Sequence, residues 1–205
     1  MNILVTGAAG FIGSNFVRLV LKEQPSAKIV VLDALKYSGH LSTMRDFLES
    51  GRVTFVQGCI DDDATVKKVY DENDFSHIVN FAAESHNDRS LGDPYEFARS
   101  NFWGPLVLFN NARGRAFERI LHVSTDEVYG SIDSGEFTEE SPFLPNSPYS
   151  AAKAGGDLMA RAFWKTYDLP IIVTHGGNTY GPWHYPEKLI PFFVTRLIDK
   201  KKVPL

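Results

Sequence analysis

Two short stretches hold side chains that could do chemistry together. Ser124-Thr125-Asp126-Glu127-Val128-Tyr129-Gly130 puts a hydroxyl and two carboxyls directly after an apolar run, Ile120-Leu121-His122-Val123. Tyr149 and Lys153 are four residues apart, which on a helix means one face, about one turn apart. An ammonium beside a phenol favours the phenolate, so the pair predicts a lowered tyrosine pKa. Such a tyrosine is a usable base for a substrate hydroxyl, and with a hydride acceptor nearby that proton transfer becomes alcohol oxidation. The acid pair has no part in simple oxidation. It fits a second step, in which a new ketone activates the neighbouring C–H, a carboxylate removes that proton and a carboxylic acid protonates the departing hydroxyl. Taken singly, an Asp-Glu pair reads as solvated turn acids, and a Tyr-x-x-x-Lys spacing can arise by chance on an exposed helix. The chemical reading requires both to converge with a third feature at the N-terminus.

That feature is a strand, a tight turn and a helix. Ile3-Leu4-Val5-Thr6 stops at Gly7, and Gly10 and Gly13 follow ahead of an amphipathic stretch containing Phe16, Val17, Leu19, Val20 and Leu21. Glycines so placed let the backbone approach a pyrophosphate, and the helix N-terminus offers it free N–H groups. The next strand, Lys28-Ile29-Val30-Val31-Leu32, ends at Asp33, 20 residues past Gly13. An acid at that distance can bond the hydroxyls of an adenine ribose and would repel a 2′-phosphate, so NAD is expected over NADP. Lys36 lies close enough in sequence to soften that repulsion.

Further strands are predicted over 52–56, 77–81 and 169–174, and helices over 62–72, 149–167 and 187–202. Residues 94–113 have helical spacing that Gly104-Pro105 should kink or split. Residues 130–148 read as a long loop, and the lysines at 200–202 as charges closing the last helix. Repeated strand–helix units predict an α/β chain with a doubly wound parallel sheet, the Rossmann fold, covered on both faces. In such a sheet ligands bind at the C-terminal edge of the strands, where Thr125, Asp126 and Glu127 are expected.

Composition sets outer limits. The chain has 205 residues, 43% hydrophobic and 22% charged, with net charge −4 and a pI near 5.9, ordinary for one globular core and the start of a second domain. An acidic balance argues against a general nucleic-acid or anionic-membrane binder. The sequence opens directly on a strand, leaving no room for a signal peptide, and holds no apolar run of membrane-spanning length. A single cysteine, Cys59, rules out an intramolecular disulfide and fits a reducing, cytoplasmic setting. The six histidines are scattered, and no metal site is expected.

Several segments together carry a resemblance. They are Thr6-Gly7-Ala8-Ala9-Gly10-Phe11-Ile12-Gly13, Ala82-Ala83-Glu84-Ser85-His86-Asn87-Asp88-Arg89-Ser90, Ser124 to Gly130, Tyr149-Ser150-Ala151-Ala152-Lys153-Ala154, and Asn178-Thr179-Tyr180-Gly181-Pro182 with Pro186-Glu187-Lys188-Leu189-Ile190-Pro191. Across essentially its whole length the chain resembles the extended short-chain dehydrogenase/reductases and, within them, the dTDP-glucose 4,6-dehydratases. The Thr-Asp-Glu triplet before Val-Tyr-Gly is the most specific part of the match.

The resemblance implies a redox-neutral lyase that uses NAD. Tyr149 would deprotonate the sugar 4-hydroxyl, Thr125 would bond that oxygen, Glu127 would take the proton at carbon 5, and Asp126 would protonate the leaving 6-hydroxyl. Lys153 would hold the nicotinamide ribose. Cofactor contacts would fall on Gly7, Gly10, Phe11, Ile12, Gly13, Asp33, Ile60, Ala82, Ala83, Ser100, Tyr149, Lys153 and Thr179. Substrate contacts would fall on Ser85, Thr125, Asn178, Lys188 and Leu189. Phe11 and Ile12 could also be core residues, and Lys188 an exposed lysine at a helix start.

The resemblance further implies a homodimer through the helices starting near Pro94 and Tyr149. It divides the chain into an NAD-binding domain over 1–182 and the start of a substrate-binding region over 183–205, most of which the chain lacks. Cys59 stands where aspartate is usual, so a bond to the adenine amine is expected to be missing. His175 stands where arginine is usual, and Gly176-Gly177 replaces bulkier residues. A nucleotide-sugar 4-epimerase or decarboxylase on the same frame, and a non-catalytic NAD-binding protein, remain open alternatives.

Overall fold

A computed structural model describes residues 1–204 of the chain; Leu205, the last residue of the expected substrate region, lies outside the described residues. Six parallel strands form one sheet: β1 (Asn2–Thr6), β2 (Lys28–Asp33), β3 (Val53–Gln57), β4 (His77–Asn80), β5 (Arg119–Thr125) and β6 (Ile171–Gly176). Their spatial order is β3-β2-β1-β4-β5-β6. The order in which strands are laid down therefore reverses between β1 and β4, and a crevice opens there at the strands' C-terminal ends.

The helices are α1 (Phe11–Glu23), α2 (Arg45–Leu48), α3 (Asp63–Asp71), α4 (Asn87–Gly92), α5 (Pro94–Ala98), α6 (Gly104–Ala112), α7 (Pro148–Tyr167) and α8 (Leu189–Ile198). The central strands read as unbroken apolar runs because both their faces are covered. Ile3, Val5, Ile29 and Val31 point to one face, with Val17 of α1 and Phe47 of α2. Leu4 and Leu32 point to the other, with Tyr70, Phe109, Ile120 and Phe163.

The predicted doubly wound sheet is present, and so is the predicted break in the 94–113 helix. The 94–113 helix is split by a π-helical turn over Arg99–Trp103, and α6 starts at Gly104 with Pro105 in its first turn, where a missing N–H costs nothing. The last helix is shorter than predicted, Leu189–Ile198, and Lys200 has a left-handed φ of 57°, so the three lysines follow the helix instead of closing it. α4 was not foreseen, because six residues without an apolar period give no sequence signal. Burial falls off at the β6 edge: β6 alternates half-buried and exposed residues, and α8 has no buried residue.

Candidate active site

One half of the site is built from backbone. Gly7 has φ +71°, and a Cβ there would lie 2.5 Å from the Ala82 nitrogen; a Cβ on Gly13 would lie 2.5 Å from the Gly7 oxygen. Only glycine lets the turn after β1 pass the end of β4 with α1 seated on it. Gly10 precedes α1 and offers no side-chain cap, so the helix's first turn meets the crevice with free backbone donors. Asp33, 8% exposed, closes β2. Its Oδ2 accepts from the Ala9 N–H at 2.9 Å and its Oδ1 from the Leu35 N–H at 2.8 Å. Burial raises the Asp33 pKa, and the two N–H groups offset only part of that. The Lys36 ammonium is 2.7 Å from Glu96 and 3.7 Å from Glu84. Burial works against its charge, but the bond and charge of Glu96 outweigh it and raise its pKa. Its charge is thus matched by Glu96 and Glu84, and Asp33 keeps its repulsion toward a 2′-phosphate.

The other half is built from side chains. β5 ends at Thr125, which caps a short 3-10 turn, Asp126–Tyr129. Thr125 Oγ1 accepts from the Glu127 N–H and donates to Asp126 Oδ1, both at 3.3 Å. Glu127 Oε2 accepts from Asn87 Nδ2 of α4 at 2.9 Å. Both carboxyls are open to solvent on the crevice side. α7 starts with Pro148 in its first turn behind a reciprocal Ser147–Ser150 capping box. Tyr149 and Lys153 therefore leave its first turns facing β5, and the Lys153 ammonium donates to the Val123 carbonyl at 2.7 Å.

The electrostatics differ from expectation. Burial and then the charge of Glu127 push the Tyr149 phenol up to about 12, against a smaller opposing bond with Thr125. Burial brings Lys153 down to about 8, with Asp157 acting the other way. The lowered phenol anticipated from sequence is not found: the ammonium is directed at a strand carbonyl, while burial and the Glu127 charge favour the neutral phenol. Burial, reinforced by Asp126, raises the Glu127 carboxyl and makes it a stronger base; Lys188 and Asn87 oppose this.

A single cavity of about 520 Å³ gathers every residue assigned from sequence to catalysis, cofactor or substrate. Gly7, Gly10, Phe11, Ile12, Gly13, Asp33, Ile60, Ala82, Ala83, Ser100 and Thr179 line it together with Ser85, Thr125, Asp126, Glu127, Tyr149, Lys153, Asn178, Lys188 and Leu189. Beyond the contacts already described, three more have protein partners. The Thr179 hydroxyl donates to the Gly177 carbonyl at 3.2 Å, Lys188 donates to the Ser85 carbonyl at 2.8 Å, and Ile60 belongs to the apolar core. Ile12 is 43% exposed and so is not core. Among the described residues no group of three or more His, Cys, Asp or Glu is placed to hold a metal.

Sequence reasoning missed the groups behind these. Asn101, buried in the π turn, brackets Glu84 by bonding its N–H and its carbonyl, both at 2.9 Å. Asp157, one turn beyond Lys153, accepts from Ser124 Oγ at 2.7 Å and meets His175 Nε2 at 3.1 Å. Burial opposes that carboxylate, but bonds from His122, His175 and Ser124 hold it well below the usual range. His175 therefore pairs with Asp157 on one side and with the Tyr129 hydroxyl, 2.7 Å away, on the other. The only sequence signal for Asp157 was a charged residue on the buried face of α7.

This geometry agrees with what the chain resembles among known proteins. Residues 4–205 match the family model described as GDP-mannose 4,6 dehydratase. The chain belongs to that family. It is 47% identical over 209 residues to a dTDP-glucose 4,6-dehydratase of Streptomyces niveus, covering 100% of this chain and 62% of that protein. It is 45% identical to the low-salt glycan biosynthesis protein Agl12 of Haloferax volcanii, covering 100% and 65%. Among solved structures, the dTDP-glucose 4,6-dehydratase DesIV of Streptomyces venezuelae, crystallised with NAD, superposes with a TM-score of 0.95 at 47% identity, over 100% of this chain and 64% of that one. The chain thus spans somewhat under two thirds of the length of these relatives.

Proposed function

We propose that the protein is an NAD-dependent nucleotide-sugar 4,6-dehydratase, a hydro-lyase that converts a nucleotide-activated hexose of the dTDP-glucose type to its 4-keto-6-deoxy sugar. The observation that carries this reading is the shared cavity of Asp126 and Glu127 with Tyr149, Lys153 and the glycine cradle. A plain alcohol dehydrogenase or an epimerase has no use for that acid pair.

The cradle suits a dinucleotide. Two positions accept no Cβ, an uncapped helix start supplies donors, and Asp33 is aligned for ribose hydroxyls and opposed to a 2′-phosphate. NAD would supply the acceptor for hydride from carbon 4 and its later return to carbon 6. Around it, Tyr149 takes the 4-hydroxyl proton while Thr125 bonds that oxygen; the phenol stands at about 12 without the cofactor, so this role requires the nicotinamide cation to bring it down. Glu127 then removes the proton at carbon 5, and Asp126 protonates the 6-hydroxyl, which leaves as water across carbons 5 and 6. Lys153, buried one turn after Tyr149 on α7, orients the nicotinamide ribose. Ser85, Asn178, Lys188 and Leu189 are the substrate contacts.

We take residues 1–182 as the NAD-binding domain and 183–205 as the start of the substrate-binding region. A homodimer is proposed through the α5–α7 face, where Trp103, Leu158 and Trp164 expose large apolar surfaces. A cytoplasmic setting is proposed from the single cysteine; no described helix is long and apolar enough to cross a membrane.

Incubation of the purified chain with dTDP-glucose and UDP-glucose tests the reading. A 4-keto-6-deoxy product, detected by its alkaline absorbance, is expected. Formation of the galactose epimer instead would assign a 4-epimerase, and NAD binding without any product from either sugar would assign a non-catalytic binder.

A further inference from the structure

The segment 181–188, between β6 and α8, is fixed to three walls of the crevice. On α1, Asn15 Nδ2 donates to the Pro182 carbonyl at 2.9 Å, and Phe11 stacks on His184 at 4.5 Å. On the loop after β2, the Tyr185 ring meets Tyr37 edge-on at 5.7 Å, and the Tyr37 hydroxyl donates to Glu187 Oε1 at 3.1 Å. On the turn after β4, Lys188 donates to the Ser85 carbonyl, and His86 Nε2 lies 3.7 Å from the other Glu187 oxygen. The three anchors lie on α1 and on the loops that follow β2 and β4, the elements that frame the glycine cradle. A segment tied to all of them crosses that cradle, and His184, Tyr185 and Glu187 line the same cavity as Gly7, Gly13 and Asp33.

One contact stands out as a clasp. The Tyr37 phenol and the Glu187 carboxylate join loops 150 positions apart, and the Arg89 guanidinium sits 3.6 Å over the Tyr37 ring. Burial and the Glu187 charge raise the phenol's pKa, so it remains a proton donor to the carboxylate.

We propose that Tyr37 and Glu187 are a positioning pair that clasps segment 181–188 across the dinucleotide cleft and slows the escape of bound cofactor. The inference rests on the NAD reading above. A reaction that restores its cofactor every turnover has no need of cofactor exchange, so slow release carries no kinetic penalty. In a dehydrogenase that must exchange its cofactor each cycle, the same clasp would slow turnover.

The test is the release rate of NAD from the loaded chain, followed by chase with excess unlabelled dinucleotide. Wild type is compared with Tyr37→Phe, Glu187→Ala and the double variant. A charge-assisted hydrogen bond predicts release about tenfold faster in each single variant. The double variant should release no faster than Glu187→Ala alone, because both changes break one shared bond. Melting of the cofactor-free proteins should be unchanged. Release within about twofold of wild type, or faster release matched by lower cofactor-free melting, would overturn the clasp. Failure of the wild type to bind NAD at all would instead overturn the NAD reading, and the clasp with it.

Discussion

The two halves of the site are made in opposite ways. Around β1, α1 and β2, shape comes from what is missing: Gly7 and Gly13 leave no room for a Cβ, and α1 has no capping side chain. Around β5 and α7, function rests on side chains held in place by hydrogen bonds: Glu127 by the Asn87 amide, Lys153 by the Val123 carbonyl, and Ser124 by the Asp157 carboxylate. Damage to the first half should therefore reach the fold, whereas damage to the second should fall mainly on the chemistry.

Gly7→Val should break the distinction most forcefully, since it combines a left-handed backbone with a 2.5 Å contact to main chain. A loss of roughly 3–5 kcal/mol in denaturant unfolding is expected, with loss of NAD binding. Unchanged stability would show that the turn can relax. Tyr149→Phe is the counterpart: turnover should fall by about 10²–10⁴ while the unfolding midpoint and NAD binding hold. A lower midpoint would mean that the phenol also supports the fold.

Lys153 tests the second half by pH. Its pKa falls from an ordinary 10.5 to about 8 in the folded chain. Below the folded value the burial cost of the cation is fully present. Between the two values the unfolded chain binds the proton that the folded chain has released, so stability should rise with pH over that interval, by up to about 3 kcal/mol. Tyr149 acts in the opposite sense above its ordinary 10, because its folded value of about 12 delays ionisation. Unfolding free energies between pH 7 and 10 should therefore climb in wild type and stay flatter in Lys153→Met. The smallest effect belongs to Asp33→Asn, which should narrow the preference for NAD over NADP by about tenfold in binding titrations, because one charge facing the 2′ position is removed.

The same contrast explains how much the sequence disclosed. Glycine spacing, Asp33 and the apolar strands report on backbone geometry, which local sequence dictates, so the sheet and cradle could be read in advance. The acid pair and Tyr149 could be read too, because their positions relative to strand and helix are local. The supports could not. Asn87, Asn101 and Asp157 act across 17 to 40 positions on partners that only the folded sheet brings near. The raised Tyr149 pKa escaped for the same reason: a carboxylate from β5's end and a buried setting oppose the ionisation that sequence spacing favoured.

The assignment of water loss to the acid pair is tested most directly by Glu127→Gln, loaded with NAD and mixed with dTDP-glucose. Oxidation at carbon 4 should proceed and reduced nicotinamide should accumulate on the protein, seen by its near-ultraviolet absorbance, with no 4-keto-6-deoxy sugar released. Product formation at the wild-type rate would contradict it.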